Sequence, residues 1–68
     1  MHTYLFVSTL DNVINKVQEY DEDSAWRKYI RYYFSHRLKW GETSKDIRKE
    51  LEHDIFVVDE GMIPEIGA

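Results

Sequence analysis

The chain has no cysteine, one proline and three glycines. Without thiols it can build neither a disulfide framework nor a thiolate zinc site, two common supports of very small domains. With so little proline and glycine it has no linker, no low-complexity tract and no glycine-rich phosphate loop, so residues 1–68 are expected to form one domain with an irregular tail over 61–68. A basic excess is missing too. The formal net charge of -4 argues against non-specific attraction to nucleic acid or anionic lipid, although a local basic patch can outweigh net charge. No apolar run approaches the roughly 20 residues that span a bilayer, and the opening MHTYLFVST lacks a basic leader region. The expectation is a cytoplasmic protein without a membrane partner.

With 43% hydrophobic and 15% aromatic residues, the chain is too apolar to remain disordered. A chain of this length buries only about 60% of the surface its unfolded form exposes, so its core is thin and large rings are one way to fill it. Oligomerisation or partner binding is the remaining external support.

The longest periodic run, Ser24 to Trp40, predicts the central helix. At about 100° per residue, Trp26, Tyr29, Ile30, Tyr33, Phe34, Leu38 and Trp40 fall on one broad apolar arc. Asp21, Glu22, Asp23 and Ser24 supply capping groups and negative charge at its start; His36, Arg37 and Lys39 supply cations at its end, before Gly41 as C-cap. Thr3 to Val7 is expected as a strand, with helix its competitor because a short apolar run has no decisive period. Ser8 and Asp11 have capping-box spacing, and Leu10, Val13, Ile14, Val17 and Tyr20 recur at helical intervals, which predicts a helix from about Thr9. Thr43 and Asp46 announce another helix with Ile47 and Leu51 as its apolar stripe. Ile55 to Val58 is the strongest strand signal. The sum is a small α+β domain: N-terminal strand, three helices, C-terminal strand. The two strands are expected to pair with each other or across a homodimer, because their backbone groups need partners and the IFVV edge is adhesive.

Phe34 to Leu51 resembles the opening half of a helix-turn-helix of the resolvase or small-repressor type, through Leu38, Gly41, Thr43, Ile47 and Leu51. A recognition helix should follow, but DIFVVDEG reads as strand, so the chain is not assigned to that family.

Chemical signatures are sparse. His2, His36 and His53 lack metal-ligand spacing, and the Asp21–Asp23 cluster lacks the pattern of a calcium loop, so no metal or cofactor is expected. Ser8, Ser24, Thr43 and Ser44 stand at expected helix starts, where hydroxyls cap, and no nucleophile motif is present. No catalytic residue is therefore named. Arg37 falls on the apolar arc; it either snorkels to water, pairs with an acid from another element, or anchors a partner's carboxylate, the first two being favoured. The opposite side carries Arg27, Lys28, Arg31, Tyr32, Ser35 and Lys39. Cations interleaved with an aromatic ring suit a protein-binding surface or a phosphate-contacting helix, while a merely solvated face is the plainest alternative. The expected function is a non-enzymatic small acidic protein that binds another protein as inhibitor, adaptor or regulator, of the kind carried by phages and other accessory elements. A nucleic-acid-binding regulator comes second and a structural homo-oligomer subunit third.

Overall fold

The computed structural model describes residues 1–64, 66 and 67; of the expected irregular tail, residues 65 and 68 lie outside the described set. The elements run β1 (His2–Ser8), β2 (Val13–Glu19), α1 (Glu22–Tyr33), α2 (Ser35–Lys39), α3 (Ser44–Leu51) and β3 (Ile55–Asp59), closed by a 3-10 turn at Glu60–Met62. The strands form one antiparallel sheet in the order β2-β1-β3. The fold is therefore a small α+β domain, and its N- and C-terminal strands pair as the backbone argument requires.

The middle strand is β1. Its partners run from Ser8 opposite Val13 to His2 opposite Glu19 on one side, and from Ser8 opposite Ile55 to Tyr4 opposite Asp59 on the other. Alternation does the rest. Tyr4, Phe6 and Ser8 face the helices together with Val17 and Ile55 and are buried, whereas Leu5, Val7, Ile14, Phe56 and Val58 share the opposite face.

The helix expected from Thr9 does not form; the segment is the turn and second strand of a β-hairpin. Asn12 takes φ +54°, a left-handed conformation that asparagine tolerates better than most residues and that closes the connection between Ser8 and Val13. Val13, Ile14 and Val17 are β-branched and suit a pleated surface. The supposed helical stripe is not a buried face: Leu10 is 75% exposed and Ile14 62%, and only Val17 reaches the core.

Local capping sets the helix ends. Asp21 accepts from the Ser24 N–H at 2.7 Å and caps α1. Thr43 accepts from the Asp46 N–H at 3.2 Å and caps α3. At the end of α2, Gly41 has φ +97°, its N–H donates to the Leu38 carbonyl at 3.1 Å and the Glu42 N–H to the Arg37 carbonyl at 3.2 Å. These are the two bonds of a Schellman motif, and they require a residue that accepts positive φ.

The expected central helix is two helices. Phe34, at φ -126° and ψ 28°, leaves helical geometry and separates α1 from the short α2. The bend leaves Phe34 and Leu38 packed against the core but Trp40 79% exposed, so Trp40 is not a core residue. In the core itself the Phe6 ring stacks on Tyr29, with centroids 4.6 Å apart and planes at 11°, and meets Trp26 edge-on at 5.0 Å. Ile30 and Ile47, also fully buried, join α1 and α3 to it. Met62 and Ile63, after β3, stay exposed.

Candidate functional site

Arg37 lies within an ion cluster internal to the fold. Its Nε and Nη2 donate to both Glu42 carboxylate oxygens at 2.8 and 2.6 Å, and Nη2 also reaches Glu50 Oε2 at 2.7 Å. The bidentate bond ties α2 to the loop after it, and the third contact ties α2 to α3. The Arg37 hydrogen bond holds the Glu42 carboxyl below its usual range, and the guanidinium stays charged. Arg48, in the last turn of α3, acts similarly. It contacts Asp23 at 2.6 Å, Glu52 at 2.7 Å and Glu22 at 3.4 Å, and its guanidinium lies 5.3 Å from the centroid of the Trp26 ring. The acidic cluster at the start of α1 is thereby divided between capping by Asp21 and pairing of Glu22 and Asp23 with Arg48. The Ser24 N–H, donating to the Asp21 carboxylate, lowers that group's pKa.

The exposed cations of α1 have a different setting. Arg27, Lys28 and Arg31 line an open groove of about 230 Å3 with Glu19 and Ser24. Arg27 donates to Ser24 Oγ at 3.0 Å, Lys28 Nζ lies 3.3 Å from the Gln18 carbonyl and 3.9 Å from Glu19 Oε2, and Arg31 makes no ion pair among the described residues. Tyr32 is 78% exposed and meets the Tyr33 ring edge-on at 4.8 Å. A second groove, of about 280 Å3, adjoins the first at Lys28 and runs between β2 and α1. Asn15, Lys16, Val17 and Gln18 form one wall; Lys28, Tyr29, Tyr32 and Tyr33 form the other. Tyr33 closes part of it by donating to Asn15 Oδ1 at 2.7 Å, and burial pushes the Tyr29 hydroxyl pKa up.

Of the six residues expected to contact a partner, the structure groups Arg27, Lys28, Arg31 and Tyr32 around these adjoining grooves. Ser35 and Lys39 lie beyond the bend on α2 and line neither. The β2 wall is missed when residues 9–20 are read as a helix; the β-branched Val13, Ile14 and Val17 were the available signal for it. His2, His36 and His53 lie on β1, on α2 and after α3, and no group of three or more metal-ligating side chains gathers among the described residues. Beyond Leu51 the chain enters β3, so the place of a recognition helix is taken by a strand. No described helix is long and apolar enough to cross a membrane. No family model matches the chain, and neither a curated protein nor a solved structure does.

Proposed function

We propose that this chain is a non-enzymatic protein-binding module, an inhibitor, adaptor or regulator, whose contact surface is centred on Arg31 and Tyr32 of α1. The observation that carries the reading is the contrast among its arginines. Arg37 and Arg48 are engaged by carboxylates within the fold, whereas Arg27 and Arg31 have no such partner among the described residues, and Arg31 stands beside a bare tyrosine. Arginine and tyrosine are enriched at the energetic centres of protein interfaces, where a ring brings contact area at low entropic cost and a guanidinium brings directed hydrogen bonds.

The test is capture from a lysate of the source cells with tagged protein, with and without nuclease, beside an Arg31→Ala, Tyr32→Ala double variant. A stoichiometric protein that survives nuclease and is lost with the variant supports the reading. Recovery of nucleic acid alone would replace it with the nucleic-acid-binding alternative. A tight dimer that captures nothing would favour the oligomer.

A further inference from the structure

β2 is an edge strand, and the hydrogen-bond pattern identifies which of its groups face outward. The Thr9 N–H donates to the Asp54 carbonyl at 2.9 Å, one step beyond the Ser8–Ile55 pair. Antiparallel strands alternate the direction of their backbone groups, so Val7 and Leu5 also turn theirs toward β3, while Ser8, Phe6 and Tyr4 turn theirs toward β2. Their β2 partners are Val13, Asn15 and Val17. Ile14, Lys16 and Gln18 consequently direct their N–H and C=O groups away from the sheet. The contact from Lys28 Nζ to the Gln18 carbonyl is an independent sign of that direction.

This outward ladder runs along the tyrosine-lined groove. A row of outward backbone groups, with the Gln18 carbonyl engaged by Lys28, beside a groove for alternate side chains is the arrangement by which a sheet edge receives an extended peptide. We propose that the partner adds a strand to the outer edge of β2, and that this strand is acidic, with an aromatic or aliphatic side chain seated between β2 and the tyrosines of α1. The proposal rests on the protein-binding reading and specifies its ligand. Charge selects the ligand class: Lys16, Lys28, Arg27 and Arg31 line the two adjoining grooves, against Glu19 as the acid among their lining residues. The edge formed by β3 is less suited, being two residues shorter and ending at Asp59.

The register follows from the pleat. Incoming residues opposite Asn15 and Val17 point to the helix side and enter the groove; the residue between them, opposite Lys16, points to the other face. The ligand should therefore read apolar, acidic, apolar over three residues, its middle carboxylate displacing Glu60 from Lys16, an exposed pair at 3.6 Å. The backbone of the residue opposite Gln18 takes over the bond made by Lys28, whose ammonium is then released to an acidic side chain.

The probe is a phage-displayed library of random decapeptides selected on the folded protein, followed by synthesis of the strongest binder. Selected sequences should carry the alternating pattern. Titration into nitrogen-15-labelled protein should perturb the amides from Ile14 to Gln18 most strongly and slow hydrogen exchange at Ile14, Lys16 and Gln18. Methylating a peptide nitrogen that faces β2 should weaken binding about tenfold or more, because a buried hydrogen bond is lost and its acceptor stranded. Methylation at the alternate positions should leave affinity nearly unchanged. The proposal is overturned if no peptide is selected, if shifts centre elsewhere, or if both methylation registers behave alike. Should those results coincide with a captured protein that depends on Arg31 and Tyr32, strand addition falls while the protein-binding reading stands.

Discussion

α3 is held by two kinds of contact, and their relative weight can be decided. Ile47 is its one buried residue and is fully enclosed, while Arg48, one position later, carries three carboxylate contacts at the surface. Truncating a buried isoleucine to alanine costs about 2–5 kcal/mol, because the transfer term and the cavity term add. Exposed ion pairs contribute about 0–1 kcal/mol each, since solvent screens them and both side chains lose freedom. At about 0.05–0.15 kcal/mol per residue, a chain of this length has roughly 3–10 kcal/mol in total. Ile47→Ala should therefore remove a large part of the stability and Arg48→Gln a small part, despite the greater number of polar contacts at Arg48. Urea titration followed by tryptophan fluorescence and by circular dichroism makes the comparison. With a slope of about 1 kcal/mol per molar urea, Ile47→Ala should lower the midpoint by about 2 M or more, and Arg48→Gln by less than Ile47→Ala, because its three contacts share one guanidinium and do not add in full. If Arg48→Gln proves as damaging as Ile47→Ala, α3 is held by its charges and the ranking is refuted.

Three other perturbations test separate parts of the fold. Asn12→Val should destabilise by about 1–2 kcal/mol because a branched residue opposes φ +54°, whereas Asn12→Gly should be close to neutral; thermal unfolding of both variants checks the pair. Thr43→Ala removes the cap that accepts from Asp46 N–H and should cost about 0.5–2 kcal/mol, read as a lower urea midpoint at unchanged slope. Asp21 and Glu42 have carboxyl pKa values lowered by hydrogen bonds from Ser24 N–H and from Arg37 respectively. A depressed folded pKa gives stability that is present above the unfolded value and lost as pH falls through the folded one. Stability should thus decline on acidification below about pH 4, and an Asp21→Asn, Glu42→Gln variant should show a flatter pH profile in the same assay.

Parts of this architecture were legible because they depend on neighbours in the chain. Asp21, Thr43 and Gly41 act on backbone groups within five residues, so their capping roles can be read from spacing. The apolar β3 was legible too, since its run of Ile, Phe and Val is bounded by acids and glycine. The segment after Ser8 was not, because Leu10, Val13, Ile14 and Val17 fit helical periodicity while its actual state is decided by pairing with β1. Asn12 carries only a weak signal for the turn. The bend at Phe34 has neither proline nor an adjacent glycine to announce it. At the candidate site, the exposure of Arg31 and Tyr32 followed from the helical projection. The opposite wall is hidden when Asn15 to Gln18 are read as helix, and the contact between Arg48 and Asp23 joins residues 25 positions apart.

The central position of β1 also has a consequence in time. Its first neighbour, β2, emerges almost immediately during synthesis, but β3 follows about fifty residues later. At roughly 5–20 residues per second, β1 passes several seconds beside the ribosome with the backbone groups of one edge unpaired. Once β3 is available, pairing must still close a long loop, at an entropic cost that grows slowly with length. The nascent hairpin is thus the stage at which this small chain is most open to capture by a chaperone or by another unfinished copy of itself.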